Sequence, residues 1–262
     1  MAILTLLTDF GLRDYYVAAV KGVVLSAAPD TVLVDISHDV PPGDVEAASF
    51  LLSAAAVTFP AETVHLAVVD PGVGSDRRIL AVETDSGRFV GPDNGLLTPF
   101  LDRARRVVAV DRPDLYRPGP GATFHGRDRF APVAAAWIRG VSVEDLGASV
   151  PDPVRLHVPA PRRRPEGLDG RVRHVDGFGN LVTDLPAEWV GDRPCVAFVG
   201  DRRVHLFADH YEQIPHGQAA LLVGSLGTLE LSMRGISLAE RWDVARNASV
   251  KVRFASGGLP RN

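Results

Sequence analysis

Cysteine is nearly absent from this 262-residue chain, which contains only Cys195. One thiol cannot form an internal disulfide, and such sparing use is typical of a reducing compartment. The surrounding letters CVAFV indicate a buried strand. We therefore interpret Cys195 as a core residue rather than as a reactive nucleophile.

Long apolar runs are missing as well. The longest nearly uncharged segment, residues 47–60, is shorter than the roughly 18 apolar residues that indicate a membrane span. The first residues, MAILTLLTDFG, have no basic segment ahead of their apolar run, so they predict a first strand rather than a secretory signal. We expect a soluble protein of the cytoplasm without a membrane partner.

A basic excess is absent too, since the net charge is −4 and nucleic-acid binding depends on positive charge. The one dense basic run, Arg162–Arg164, lies between prolines and predicts a solvated linker, with nucleic-acid contact as the alternative. The chain has no phosphate-loop, dinucleotide, serine-hydrolase, zinc-protease or paired CxxC signature. The sequence therefore predicts no metal, no cofactor and no nucleic-acid partner.

Residues 1–155 alternate apolar strands with helical segments. Short runs rich in Val, Ile and Leu are separated by stretches such as YYVAAVKGVVLSAAP and GDVEAASFLLSAAAVTF, whose apolar residues recur at helical spacing. Asp44 is expected to cap the second of these helices. The pattern predicts a parallel sheet covered on both faces, in an N-terminal Rossmann-like α/β sandwich domain.

The second part of the chain has a different character. Residues 156–169 are rich in proline and arginine, which indicates a linker between domains. Residues 170–262 contain many short strand candidates with turn signals and almost no helix-length pattern. The sequence therefore predicts a smaller C-terminal domain, a β barrel or a sandwich.

Three of the N-terminal strands end at or beside an aspartate: Asp9, Asp35 and Asp70. Ligands of open α/β sheets bind beyond the carboxyl ends of the strands. A carboxylate such as that of Asp9 can accept two hydrogen bonds from a ribose diol, as acidic residues do in dinucleotide folds. The alternative is that Asp9 only caps the first helix.

The stretch VVDPGVGSDRR, residues 68–78, joins Asp70 to a glycine-containing turn and places Arg77 seven residues after it. An arginine beside a carboxylate keeps it ionised and can also hold a water molecule or an anion in front of it. The alternative is a surface salt bridge worth at most ~1 kcal/mol. Because adjacent side chains of a strand point in opposite directions, only one of Arg77 and Arg78 can face the site.

His125 stands between an aromatic residue and a glycine in TFHGRDRFAP, a loop just before a helix expected around residues 130–138. Histidine can take or give a proton near neutral pH, although a lone histidine is more often a packing residue. Asp128 is expected to cap that helix.

Two turns of the second part carry further candidates. Asp176, Phe178 and Asn180 lie in one tight turn, HVDGFGN. An aromatic face beside an amide suits a purine, through stacking and two hydrogen bonds, with a simple β-turn as the alternative. Ser225 lies in VGSLG, a turn suited to backbone contacts with a carboxylate.

Together these segments resemble one family, the S-adenosylmethionine hydroxide adenosyltransferases, relatives of the S-adenosylmethionine-dependent fluorinase and chlorinase. The matching motifs run in family order along the chain: TDFG (8–11), YYVAAVKGV (15–23), VDISHDVPPGDVEAA (34–48), VVDPGVGSDRR (68–78), PDNGLLT (92–98), TFHGRDRFAPVAA (123–135), DGFGNLVT (176–183) and GSLG (224–227).

The resemblance implies an α/β N-terminal domain, a β-barrel C-terminal domain and a homotrimer. In that trimer the substrate lies between the N-terminal domain of one subunit and the C-terminal domain of the next. The resemblance also implies a reaction in which water, delivered as hydroxide, displaces methionine from C5′ of S-adenosylmethionine to give adenosine and L-methionine. The family's water-activating aspartate, arginine and histidine correspond to Asp70, Arg77 and His125, which leaves Arg78 as a structural residue.

For substrate binding, the resemblance assigns Asp9 to the ribose hydroxyls, Asp176 to the methionine ammonium, Asn180 to the adenine and Ser225 to the methionine end. Phe178 as a stacking surface is an inference from its residue type. The chain departs from its halogenating relatives at Leu226, where they carry an arginine, so the contact to the methionine carboxylate is not carried over.

Three other functions stay open. The first is a SAM-dependent halogenase of the same superfamily. The halogenating relatives, however, carry tyrosine where this chain has Asp70, whose carboxylate would repel a halide in a low-dielectric pocket. A non-catalytic adenosine-binding or SAM-binding module would explain Asp9 and Asn180 but would leave Asp70, Arg77 and His125 without a purpose. A hydrolase of another ester would have to work without a serine motif and without a metal.

Overall fold

The structure is a computed structural model that describes residues 1–118 and 121–255. The chain divides into two compact units, Met1–His157 and Val158–Asn262. The division lies at the start of the stretch 156–169 that the sequence indicates as a linker. Residues 256–262, the end of the expected C-terminal domain, lie outside the described residues.

The described residues of the first unit form one seven-stranded sheet with helices on it. In chain order its strands and helices are β1 Ile3–Thr8, α1 Tyr16–Ala27, β2 Val32–Ser37, α2 Val45–Ala56, β3 Val64–Val68, β4 Ile79–Thr84, β5 Gly87–Pro92, α3 Thr98–Leu101, β6 Ala104–Val110, α4 Ala131–Ile138, α5 Val143–Leu146 and β7 Gly147–Ser149. A π-helical turn, Gly126–Phe130, leads into α4.

The strand order of this sheet is β2-β1-β3-β5-β4-β6-β7. The first four strands in that order are parallel, as the sequence predicts. The other three join antiparallel, which differs from the expected all-parallel sheet. The reason is local: β4 and β5 are joined by only Asp85 and Ser86, and so short a connection can link only antiparallel strands.

Helices cover both faces of the sheet, so the predicted α/β sandwich is confirmed. Helix α1 buries Val17, Val20 and Val24, which recur at helical spacing, and it packs with α4 on one face. Helices α2 and α3 cover the other face. Asp44 caps α2 as expected, because its carboxylate accepts from the backbone N–H of Ala47 at 2.9 Å.

The described part of the second unit is almost entirely β-structure. Its strands and helix are β8 Arg162–Arg164, β9 Gly167–Val175, β10 Leu181–Pro186, β11 Cys195–Val199, β12 Arg202–Val204, β13 Leu206–Phe207, β14 Ala219–Val223, β15 Thr228–Met233, α6 Leu238–Trp242 and β16 Ser249–Phe254. Cys195 is 7% exposed in β11, in agreement with the interpretation as a core residue.

The strands of this unit follow the order β12-β11-β16-β9-β10-β15-β14-β13, with β8 paired to β9. Among the described residues of this unit, every strand pair is antiparallel except β13 with β14. Strand β12, at one end of the order, contacts β14 near the other end. The sheet therefore curls nearly into a barrel around one apolar core, which confirms the predicted barrel.

The structure corrects two local expectations. The arginine run Arg162–Arg164 forms strand β8, although the sequence indicates a linker there, and the Asp169 carboxylate accepts from Arg164 and Arg253. Asp128 does not cap α4; its carboxylate pairs with Arg127, while the N-terminus of α4 has no side-chain cap. The π-helical turn begins at Gly126, so Asp128 lies within the helical segment and not at the position that precedes α4.

Within residues 1–118 and 121–255, no helix is both long and apolar enough to cross a membrane. The same part of the chain contains no group of three or more His, Cys, Asp or Glu side chains arranged to hold a metal ion.

Candidate active site

Asp70 lies just beyond β3, at the carboxyl end of that strand, on a loop held by hydrogen bonds. The side-chain amide of Asn94 donates to the carbonyl oxygen of Val69 at 2.9 Å. The backbone N–H of Val73 donates to the carbonyl of Asp70 at 3.1 Å and closes a tight turn. Gly74 adopts a φ of +86°, which favours glycine. The Asp70 carboxylate therefore projects from a fixed backbone.

Arg77 binds the Asp70 carboxylate through both of its oxygens. The Arg77 Nε lies 2.9 Å from Oδ1 and from Oδ2, and Nη2 donates to Oδ2 as well. The two side chains are 9% and 5% exposed. The guanidinium also lies 4.9 Å from the centre of the Phe130 ring. This is a buried, bidentate pair, and not the exposed surface pair that the sequence left as an alternative.

His125 is the third member of this cluster. It is 3% exposed, and its Nδ1 lies 2.9 Å from Arg77 Nη2. Because a guanidinium only donates, Nδ1 is the acceptor, and the neutral ring carries its proton on Nε2. Burial lowers the pKa of His125, and the nearby charges of Arg129 and Arg77 lower it further. His125 is therefore neutral near pH 7.

Two donors of the cluster have no partner among the residues that the structure describes. They are Arg77 Nη1 and His125 Nε2, and both atoms are enclosed by protein. Unsatisfied buried donors are rare in folded proteins and call for an explanation such as a bound water or ion. Since both atoms donate, they suit an acceptor such as the oxygen of water or hydroxide.

Arg78 faces a different set of partners from Arg77, as expected, although both residues precede β4, which begins at Ile79, so strand alternation is not the reason. Its Nε donates to the buried carboxylate of Asp93 at 2.6 Å, and its Nη1 donates to the Asp152 carboxylate at 2.9 Å. Nη2 donates to the Asp152 carbonyl at 2.8 Å. Arg78 thus holds the chain near residue 152, and of these two arginines it is Arg77 that contacts Asp70.

Asp9 lies near the cluster and does not cap α1. Its Oδ2 accepts from the backbone N–H of Gly43 at 2.9 Å, while α1 begins after Tyr15 without any side-chain cap. Asp9, Asp70 and His125 line the same cavity of about 70 Å³. A cavity of this size has room for at least one water molecule, since about 10–15 Å³ is enough to hold one.

In the second unit, Asp176 organises the predicted turn. Its Oδ1 accepts from the backbone N–H groups of Phe178 and Asn180, and its Oδ2 accepts from the Asn180 side chain, each at 2.9 Å. Gly179 has a φ of +81°, and a Cβ there would lie 2.1 Å from Ser237 Oγ. The β-turn alternative is therefore present, and the turn also fixes the Asn180 amide.

A cavity of about 460 Å³ lies against this turn, a size that suits a small ligand. Phe178 lines it and is 81% exposed, so its ring face is open, while Asn180 is 5% exposed. Tyr211 and Arg234 also line the cavity, and the Arg234 guanidinium donates to the Glu212 carboxylate. The cavity combines an aromatic face, a buried amide and charged groups.

Ser225 is placed apart from these groups. It lies in the turn between β14 and β15, which closes through the bond from Gly224 N to the Thr228 carbonyl at 2.9 Å. Among the described residues that line the 460 Å³ cavity, Ser225 is not included. The structure therefore brings Asp176, Phe178 and Asn180 together and leaves Ser225 outside that lining.

Sequence reasoning missed several residues that support the Asp70 cluster or line the larger cavity. Asn94 supports the Asp70 loop, Phe130 lies under Arg77, and Tyr211 and Arg234 line the larger cavity. The motif PDNGLLT contains Asn94, and an asparagine in such a turn is a signal for backbone bonding. The roles of the other three carried no local signal, because they depend on long-range packing.

Known proteins were compared with this chain by sequence and by structure, and the two kinds of comparison agree. Residues 4–147 match the model of the SAM hydroxide adenosyltransferase N-terminal domain, and residues 170–251 match that of the C-terminal domain. A solved structure of an uncharacterized conserved protein from Thermotoga maritima has a TM-score of 0.90 and 30% identity, and the match covers 95% of this chain and 99% of that one.

Named relatives extend over most of the chain. Proteins called (R)-S-adenosyl-L-methionine hydrolase are 40% identical to it, one from Salinispora tropica over 87% of this chain and 88% of its own, and one from Thermus thermophilus over 94% and 97%. A fluorinase from Actinopolyspora mzabensis is 28% identical, and the match covers 95% of this chain and 96% of the fluorinase. The chain belongs to the S-adenosylmethionine hydroxide adenosyltransferase family.

Proposed function

We propose that this protein is an enzyme that hydrolyses S-adenosyl-L-methionine (SAM) to adenosine and L-methionine. The Salinispora and Thermus relatives carry the name of a SAM hydrolase. The observation that carries the proposal is the buried cluster of Asp70, Arg77 and His125, with unpartnered donors on Arg77 and His125. These groups are what a site for an activated water molecule requires.

The reaction balances without a further reactant. The water oxygen forms a bond to C5′, the bond from C5′ to sulfur breaks, and its electron pair stays on sulfur, which becomes the neutral thioether of methionine. One proton of the water is released. Bulk water has a pKa of about 15.7 and is a poor nucleophile. Attack by hydroxide on a sulfonium cancels opposite charges, and this cancellation is favoured where water is excluded.

Each member of the cluster has a role that its hydrogen bonds suit. Arg77 Nη1 and His125 Nε2–H donate to the attacking oxygen and stabilise its developing negative charge. His125 already carries a proton on Nε2, and its Nδ1 accepts from Arg77. Asp70 therefore remains as the group of the cluster that accepts the proton of the water.

The other candidates serve substrate binding. Asp9 keeps Oδ1 for the ribose hydroxyls, because its backbone contact is made through Oδ2. In the second unit, Asn180 takes the adenine and Phe178 offers its open ring face. Asp176 takes the methionine ammonium, and Ser225 takes the methionine end.

Halogenation is disfavoured by the same carboxylate. The Asp70 side chain is 5% exposed, and like charges a few ångströms apart in such surroundings repel strongly. A halide would have to enter the cavity that Asp70 lines. The proposed nucleophile is therefore hydroxide rather than fluoride or chloride.

We propose further that the active species is a homotrimer that works in the cytoplasm without a metal or an organic cofactor. Each unit bears part of the required chemistry, one with Asp9, Asp70 and His125 and the other with Asp176 and Asn180. Large apolar side chains such as Leu12 and Tyr15 are 70% and 62% exposed, which suits a subunit interface. An active species with the mass of a monomer by light scattering would contradict the trimer.

Incubation of the protein with the (R) epimer of SAM in oxygen-18 water, in the presence of EDTA, tests the function. We expect equal amounts of adenosine and methionine, with the label in the 5′ oxygen of adenosine by mass spectrometry. The chelator is expected to leave the rate unchanged, because side chains supply the activation. Absence of both products, or consumption of added fluoride in step with turnover, would overturn the proposal.

The pH dependence of kcat should report the protonation of His125. A protonated ring would place an N–H against the Arg77 Nη2 donor and break that contact. Because the pKa of His125 is lowered by burial and by Arg129 and Arg77, we expect the acid limb of kcat to lie below the ordinary histidine value of about 6.5. An acid limb at or above that value would contradict the neutral tautomer.

Loss of the fold at low pH has to be separated from the titration of His125, and the buried His65 indicates the pH range in which that loss occurs. Burial lowers the pKa of His65 to about 4, so the unfolded chain binds a proton that the folded chain does not. Stability therefore falls as the pH drops from about 6.5 towards 4. Tryptophan fluorescence recorded at each pH separates this loss of fold from the titration of His125.

A further inference from the structure

Glu230 is a buried carboxylate in the middle of strand β15. It is 6% exposed, between Leu229 and Leu231, which are 1% and 0% exposed and belong to the apolar core. Because side chains alternate along a strand, Glu230 and Ser232 point to the opposite face of the sheet. Burying a carboxylate is unfavourable unless hydrogen bonds and opposite charge compensate for the lost water.

The hydrogen bonds of Glu230 are confined to one of its two oxygens. The Tyr211 hydroxyl donates to Oε1 at 2.8 Å, and the Ser232 hydroxyl donates to the same atom at 2.7 Å. Within residues 1–118 and 121–255, neither a hydrogen bond nor an ion pair reaches Oε2. That oxygen lies beside the GSLG turn, because a Cβ on Gly224 would be 3.1 Å from it.

The described surroundings of Glu230 are acidic and hold no compensating cation. Glu230 is not among the described residues that line the 460 Å³ cavity, but Tyr211, whose hydroxyl donates to it, lines that cavity together with Asp176. The arginine that lines the cavity, Arg234, donates to Glu212. Burial, the hydrogen bond to Glu230 and the charges of Glu230 and Asp176 raise the pKa of Tyr211 to about 12. The tyrosine thus stays protonated near pH 7 and donates to Glu230.

We propose that Glu230 is a substrate-binding residue whose Oε2 accepts a hydrogen bond from the α-ammonium group of the methionine moiety of SAM. This inference rests on the proposed function, since it requires SAM as the ligand. The ammonium supplies the opposite charge that the described residues do not supply. Tyr211 and Ser232 hold Oε1 and thereby direct Oε2 towards the turn that contains Ser225.

Glu230 and Asp176 bind the ammonium together, because part of the hydrogen-bond acceptor capacity of the Asp176 carboxylate is already used. Three donors of its own turn already bond to the Asp176 carboxylate. An ammonium has three N–H donors, so two carboxylates and one further acceptor can satisfy it. The arrangement also separates two kinds of ligand: those with an amino-acid group need Glu230, and simple nucleosides do not.

The variant Glu230→Gln tests the proposal, because it keeps the shape and removes the charge. Four compounds are titrated by calorimetry: S-adenosylhomocysteine, L-methionine, S-methyl-5′-thioadenosine and adenosine. We expect the Kd of S-adenosylhomocysteine to rise about 10- to 100-fold, as for loss of a charge-assisted hydrogen bond. L-methionine is expected to weaken likewise, whereas the two compounds without an ammonium should change less than about 2-fold.

Glu188→Gln is the matched control, since the same change is made on an exposed carboxylate of the same unit. It should leave every Kd unchanged. Equal weakening of adenosine and S-adenosylhomocysteine in Glu230→Gln would show that Glu230 only supports the cavity, and unchanged binding of all four compounds would show that it does not contact the ammonium. Either result overturns this inference but leaves the proposed SAM hydrolysis intact if the wild type is active. A wild-type protein that binds none of the four compounds overturns the proposed function.

Discussion

Replacing Asp70 with asparagine is expected to lower kcat for SAM hydrolysis by about 10³-fold, because the variant loses the acceptor for the proton of the attacking water. The amide of the variant keeps the shape of the carboxylate but carries no negative charge. The affinity for S-adenosylhomocysteine should change less than about 3-fold, since Asp70 contacts the nucleophile rather than the substrate. Single-turnover product formation and calorimetry measure the two quantities.

Asp152→Asn is the matched control for this substitution. Asp152 also accepts from an arginine, Arg78, but it is 78% exposed and lies outside the cluster. Its kcat is expected to stay within about 2-fold of wild type, because exposed ion pairs contribute little. An Asp70→Asn enzyme that retains more than about a tenth of wild-type kcat would contradict the role of Asp70 as proton acceptor.

Replacing Arg77 with methionine is expected to remove turnover and also to lower the free energy of unfolding by about 3–5 kcal/mol. The stability loss follows from burial: the Asp70 side chain is 5% exposed and would lose the cation that binds both its oxygens. The stacking of the guanidinium on Phe130 is lost as well. Urea unfolding gives the free energy, and the hydrolysis assay gives kcat.

Two further variants separate stability from chemistry. The double variant of Asp70→Asn and Arg77→Met should be more stable than Arg77→Met alone, because it no longer buries an unpaired charge. Arg78→Met also loses the partner of a buried carboxylate, Asp93, but it should keep its turnover. If Arg77→Met is as stable as wild type, or if Arg78→Met loses turnover equally, the division of roles between the two arginines is wrong.

The fold class was predictable because its signals are local and repeated. Apolar runs of strand length, helical spacing in α1 and α2 and the Asp44 cap each depend on residues close in sequence. The apolar run ILAVETD was predicted as a strand, but the antiparallel direction of this strand, β4, was not, although only two residues connect it to β5. The arginines of β8 were interpreted as part of a linker because the surrounding residues are rich in proline and arginine. Their pairing with β9 is visible only in the folded chain.

The candidate site was predictable to the level of residue type and spacing. The motif around Asp70 and Arg77 marks both residues. The expectation that Arg78 faces elsewhere agrees with its contacts, but its premise was wrong, because both arginines lie in the loop before β4. The expected cap by Asp128 was wrong, because helical structure already begins at Gly126 and Asp128 lies inside it. Ser225 was grouped with Asp176 by resemblance, and the structure leaves it outside the lining of the cavity.

The amino-acid sequence was sufficient to identify the family, the α/β and β-barrel architecture and the pair Asp70 and Arg77, because these follow from local patterns and ordered motifs. The resemblance already grouped His125 with this pair. The packed chain was needed to bring His125 Nδ1 against Arg77 Nη2 across 48 positions, to assign the proton of its ring and to bury Glu230 without a counterion among the described residues. Those facts depend on distances between segments far apart in sequence and on exclusion of water, and neither is encoded in spacing along the chain.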